Sequence, residues 1–304
     1  MTTASTTAAV VRDEPSRPVP PADKGARASG RSFVKRLPGY LVVAVLLVVF
    51  VAPLIWLLLG SFKTQEEFLR NPAWALPEDF GNISNYATAW SSVAGYLLNS
   101  VLSVFPALLI TLLIGTAAGF ALEVMVFRGR RTVLLLFLVG IMIPGQMILL
   151  PLFTVYFQAG LSRSLWPLII TYTATALPLT VFMMATYFRA VPREIFEAST
   201  LDGASIFRSF FSVAVPMMRN AIFTIALVQF FFLWNDLLIA LTFTTDESLR
   251  TVQVGLLNFT GQFGVVDYGP TFAAICINVF IILALYLFLN RRVMGGLAAG
   301  AVKG

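Results

Sequence analysis

Residue types that usually carry chemistry are scarce in this chain. Its 304 residues include no histidine and a single cysteine, Cys276, which lies inside an apolar run. Histidine is the side chain that titrates nearest neutral pH and the commonest metal ligand. One cysteine builds neither a disulfide framework nor a thiolate metal cluster. A nucleotide-binding phosphate loop needs G-x-x-x-x-G-K-[ST], and none of the four lysines (Lys24, Lys35, Lys63, Lys303) follows a glycine. What stands out instead is polarity in apolar surroundings, at two places. The first is Gln229, Asn235 and Asp236, all within the apolar stretch 221–243. A charge near the middle of a membrane-spanning helix costs about 2.5–3.5 kcal/mol and marks a functional candidate. Gln229 and Asp236 are seven residues apart, two helical turns, and so share a face. Such residues line a path for a polar solute or bond neighbouring helices to one another. The second place is "EIFEASTLDGASIFRSFFSVAVPMMRN", residues 194–220, a charged segment between long apolar runs.

The elements that must position these residues follow from composition. Apolar residues make up 58% of the chain and charged residues 12%, against about 25% charge in soluble domains. So little charge cannot cover a globular surface, which makes this a membrane protein. Spanning the hydrocarbon by helix takes about 20 mostly apolar residues, and six stretches qualify: 37–59, 97–122, 132–157, 165–188, 221–243 and 271–289. They are too long and continuous for the alternating strands of a barrel. The fold class is therefore all-α, with six transmembrane helices. Basic residues set the orientation. Seventeen of the 21 fall before residue 37, in 128–131, in 189–219 or after 290. The positive-inside rule puts these segments, and both termini, in the cytoplasm. The net charge of +6 is thus a topology signal, not a nucleic-acid footprint. Residues 1–36 read as a disordered basic tail, and 291–304 as a second cytoplasmic tail. Gly115 and Gly119 predict close helix packing, and Pro144, Pro151 and Pro178 predict kinks.

Residues 189–220 then form a cytoplasmic loop. Pro192 suits a helix start, and Glu194 and Glu197 suit its first turns. Ile195, Ala198 and Leu201, with Phe196 alongside, give one apolar face. Asp202-Gly203 is a turn. Ser205 caps a second stretch over 206–213 that ends near Pro216. The residues alone leave two uses open: lying on the lipid surface, or seating in a groove of another protein.

The spacing resembles the "EAA" loop of ATP-binding-cassette importer permeases. Glu197, Ala198, Asp202, Gly203, Ala204, Val215 and Pro216 match its pattern, and Ser199 stands where the family commonly has Ala. The tail "GGLAAGAVKG" and "WNDLLIALTF" (234–243) are similar to the maltose-type carbohydrate permeases, so that the likeness covers about residues 85–304. The resemblance implies a type I importer permease domain over 37–290. It also implies an inner-membrane location and a coupling loop centred on 194–216. The implied partners are a homologous second permease, a cytoplasmic ATPase dimer and an extracytoplasmic solute-binding protein touched through 244–270. ATP would be used by the partner, this chain would hold no cofactor or metal, and it would not be an enzyme. Gln229, Asn235 and Asp236 become candidate sugar-path residues. Two alternatives stand: a same-fold permease for another solute, and an ion-coupled secondary transporter. The second usually buries several ionisable groups, whereas Asp236 is nearly alone.

Overall fold

A computed structural model describes the backbone of residues 25–259 and 266–301, and the side chains of 38–259 and 266–287. The chain divides into two units, residues 1–54 and 55–304. The first is built on helix α1 (Gly25–Gly60). Its side chains from Tyr40 to Phe50 are exposed around the helix, as suits a segment whose solvent is lipid. The helix already begins at Gly25, so the expected disordered tail gives way over 25–36 to continuous helix. Pro38 lies inside this helix without ending it. Residues 1–24 lie outside the described part.

The second unit takes in the last residues of α1 and then the short helix α2 (Gln65–Arg70), held by a capping box between Thr64 and Glu67. The long α3 (Ser84–Glu123) follows, 40 residues without a break despite Pro106. Next come α4 (Arg130–Met142), α5 (Leu149–Gln158), α6 (Trp166–Arg189), α7 (Arg193–Leu201), α8 (Ile206–Ser209) and α9 (Val215–Trp234). The chain closes with α10 (Leu238–Phe243), α11 (Val252–Gly255) and α12 (Tyr268–Ala301). Among the described residues five helices are long and apolar enough to cross a membrane, and a sixth crossing results if α4 and the bent segment 145–158 count as one. All the regular elements described are helical.

Three stretches depart from simple spans. The third bends by 89° between Met142 and Gly145, because the residue before a proline is pushed out of the helical region; Ile143 is extended, with ψ 117°. The fifth stops at Trp234, so the continuous 221–243 helix expected from hydropathy is replaced by α9 and α10 with a polar break at Asn235-Asp236. The sixth continues to Ala301, so most of the expected C-terminal tail is helical.

The core lies where α3, α6, α9 and α12 pack together. Gly115 and Gly119 set the closest approach of α3 to α6. A Cβ on Gly115 would lie 2.4 Å from Thr180 Cγ2, and one on Gly119 would lie 2.6 Å from Met184 Cβ and 3.0 Å from the Ala185 nitrogen. Backbone cannot give way as a flexible side-chain end can. Gly119→Val is therefore expected to cost about 1–3 kcal/mol through overpacking, read as a lowered unfolding midpoint of the chain in nanodiscs.

Candidate functional site

One end of the bundle carries the hairpin formed by α7 and α8. Helix α7 ends in a Schellman motif: Ala204 N–H donates to Ser199 O at 3.1 Å and Gly203 N–H to Thr200 O at 3.0 Å. The motif needs a left-handed residue, and Gly203 supplies it with φ +78°. Ser205 caps α8 by accepting from Arg208 N–H at 3.3 Å. Helix α8 does not end near Pro216. It runs through a π-helical turn (Phe210–Ala214) into α9, so the expected second short helix is the first part of the next span. The widened turn lies just where the Pro216 ring must clear the carbonyl four residues before it.

The hairpin's inward face also differs from the expected set. Phe196 and Ser199 are buried and Ile195 is half-buried, whereas Ala198 and Leu201 are exposed. Phe196 packs edge-on against Phe120 of α3 at 5.7 Å between ring centres. Ser199 Oγ and Ser209 Oγ are hydrogen-bonded at 2.7 Å inside the hairpin, so the serine at this position ties one helix to the other. Burying a hydroxyl whose partner has been removed costs about 1–3 kcal/mol, while removing both partners is nearly neutral. Ser199→Ala should thus destabilise more than the Ser199→Ala/Ser209→Ala pair, a reversal that a double-mutant cycle of unfolding midpoints detects. Glu197, Asp202, Gly203 and Pro216 are exposed and Ala204 is half-buried. At the tip, Leu201 is 87% and Phe207 73% exposed, an apolar edge left uncovered by the other described residues.

The second site lies within the bundle. A cavity of about 460 Å³ is lined by the bend residues Ile143 and Gly145, by Tyr172 of α6, and by Gln229 and Asp236. The sequence-predicted pair Gln229 and Asp236 does meet there. Asn235 does not line the cavity; it is exposed, donates back to Phe231 O at 2.9 Å and accepts from Gln253 at 3.4 Å. Asp236 caps α10, accepting from Ala240 N–H at 3.0 Å and Ile239 N–H at 3.4 Å. Its Oδ2 also accepts from the Tyr172 hydroxyl at 3.0 Å. Gln229 donates to Ala176 O at 3.1 Å and Thr180 Oγ1 at 2.9 Å, which fastens α9 to α6. Asn278 accepts from Trp234 Nε1 at 3.0 Å and belongs to the packing of α9 on α12. Tyr172 is the residue that sequence reasoning missed, since one tyrosine in an apolar run gives no sign of what it faces.

The fold that carries this cavity and hairpin has solved counterparts. The chain superposes on a bacterial ABC transporter involved in the import of the acidic polysaccharide alginate with a TM-score of 0.73, at 18% identity, covering 90% of this chain and 99% of that one. The MetNI methionine ABC transporter matches at a TM-score of 0.54 and 17% identity, over 69% of this chain and 97% of that one. These likenesses establish the type I importer permease fold. Among sequences, the diacetylchitobiose uptake system permease protein NgcG of Streptomyces coelicolor is 35% identical over 259 residues, 84% of this chain and 85% of the relative. The trehalose/maltose transport system permease protein MalG of Thermococcus litoralis is 31% identical over 256 residues, 83% and 91% of the two chains. Residues 112–293 match the family model for the binding-protein-dependent transport system inner membrane component. The chain belongs to that family. It is the multi-pass permease component of an ABC transport system, a transport subunit and not an ATPase, and its class works with a separate ATPase and a solute-binding protein.

Proposed function

We propose that this chain is one of two homologous permeases in a carbohydrate importer, with the α7–α8 hairpin as the handle gripped by the ATPase. The observation that carries the reading is the hairpin itself: rigidly capped, anchored by Phe196 and the Ser199–Ser209 bond, and apolar at its uncovered tip. A lever must be stiff along its length and sticky at its end, and this one is both. The coupling-loop residues are Glu197, Ala198, Ser199, Asp202, Gly203, Ala204 and Pro216, among which the buried Ser199 holds the hairpin together and the others lie at its accessible surface, with ATP bound and used only by the partner. The hairpin end and both termini face the cytoplasm, as the distribution of basic residues supports. The loop 244–270, of which 260–265 lie outside the described residues, faces outward and meets the solute-binding protein.

The solute is an oligosaccharide, a reading supported by the names of the relatives. It would pass the cavity floored by Tyr172, Gln229 and Asp236, where rocking of the two halves alternates access. Orientation and coupling are tested together on a Cys276→Ser background, which removes the one native thiol. In Leu201→Cys, a membrane-impermeant maleimide should label inverted vesicles and not intact cells, and addition of the ATPase should protect the thiol. Labelling of intact cells would place the hairpin outside and end the reading. Glu197→Lys, a charge reversal on the exposed face, should reduce uptake of radiolabelled chito- or malto-oligosaccharide without changing membrane insertion.

A further inference from the structure

A second cavity, of about 370 Å³ and lined mostly by charged residues, opens at the hairpin end of the bundle between the ends of α3 and α6 and the starts of α4 and α7. The solute path does not use it, and it shares with the hairpin only Arg193, the first residue of α7. Its lining holds four arginines, Arg130, Arg131, Arg189 and Arg193, and one carboxylate, Glu123. Glu123 is already paired with Arg189. Among the described residues the other three arginines reach no carboxylate, and Arg130 Nη1 donates to the Met125 carbonyl at 3.3 Å. The cavity therefore carries a surplus of three positive charges. The N-termini of α4 and α7 open at Arg130 and Arg193 and add positive partial charge to the same space. Positive charges that line one cavity repel one another, and an anion among them relieves that repulsion.

The shape of the surroundings says which anion. Two leucines, Leu122 and Leu134, complete the wall. From there α4 runs into the bundle with Leu135 and Leu136 exposed and no fully buried residue along its length. A free phosphate would use the arginines and leave that apolar track idle, whereas a phospholipid uses both. Guanidinium groups bind phosphate oxygens in pairs through a planar fork, and basic pockets between membrane helices suit anionic headgroups. We propose that this cavity binds the glycerophosphate headgroup of an anionic phospholipid, with its acyl chains lying along α4. The proposal rests on the chain's spanning a membrane, and is independent of which solute it carries and of where the hairpin docks.

The test is retention of lipid by the full chain, extracted with its membrane partners into mild detergent from phosphatidylglycerol-containing bilayers and examined by native mass spectrometry. Wild type should keep bound phosphatidylglycerol in preference to phosphatidylcholine, and Arg130→Gln/Arg131→Gln should lower that retention about tenfold or more. Arg193 is left unaltered because it opens the hairpin. Arg130→Lys/Arg131→Lys keeps the charge but not the fork and should fall between the two. Arg70→Gln, an exposed charge outside this cavity, should change nothing. Unfolding midpoints confirm that each variant is folded, and a pair that fails to fold is replaced by Arg131→Gln alone, read the same way. Equal retention by wild type and the glutamine variant overturns the proposal. So does full displacement of the lipid by millimolar inorganic phosphate, which would make the cavity a site for a soluble anion.

Discussion

Gly203→Pro should abolish uptake while leaving the membrane bundle folded. The residue holds φ +78° and gives its N–H to Thr200 O. Proline fixes φ near −65° and has no N–H, so the variant loses both the turn and the bond that ends α7. The penalty is about 3 kcal/mol or more, enough to reduce the correctly closed hairpin about a hundredfold. The damage is local because Gly203 is exposed and nothing lies within 4 Å of the place a Cβ would occupy. That open space separates conformational cost from steric cost in a companion variant. Gly203→Ala meets no clash and pays only the left-handed penalty of about 1–2 kcal/mol, so it should retain measurable uptake. Full activity in the proline variant, or equal loss in both, would show that the turn's geometry is not what couples the chain to its motor. Co-purification of the ATPase, followed beside uptake, should drop with Gly203→Pro and be nearly kept with Gly203→Ala.

The hairpin was legible in the sequence because its signals are local. A turn glycine, a capping serine and two acidic residues at a helix start all act within one or two turns of themselves, so reading them needs no knowledge of the fold. Most spans were legible for a related reason: hydrocarbon imposes length and polarity on each helix separately. The departures come where distant segments decide. Ser199 looked like a small-residue replacement until Ser209, ten residues on and across the turn, proved to be its partner. Hydropathy alone ran the fifth span on to Phe243, since Leu238–Phe243 is as apolar as α9; the break is made by Asp236, which caps a new helix. Pro144-Gly145 announced a bend, but not that the bend would wall a cavity shared with α6 and α9. Sequence spacing put Gln229 and Asp236 on one face, and they do share the cavity. It carried Asn235 along with them, although adjacent residues on a helix point about 100° apart.

Asp236→Ala should be the most damaging single change inside the bundle, because one carboxylate serves three donors. Losing the cap of α10 costs about 1 kcal/mol. Leaving the Tyr172 hydroxyl buried without an acceptor adds about 1–3 kcal/mol, and Tyr172 is only 1% exposed. Removing the donor as well should recover part of the loss, so Tyr172→Phe/Asp236→Ala should be more stable than the sum of its singles. That comparison measures the packing role alone. The role in the cavity is read from Asp236→Asn, which keeps an acceptor oxygen for Tyr172 and Ala240 but removes the charge facing the cavity space. Its unfolding midpoint should stay close to wild type. If the carboxylate also accepts from solute hydroxyls, exchanging a charged for a neutral acceptor should cost about 0.5–1.5 kcal/mol at the passing solute, or about two- to tenfold in the KM for uptake. An asparagine variant with wild-type stability and wild-type KM would confine Asp236 to holding α10 and Tyr172 in place, and the solute would then pass the floor of the cavity without touching it.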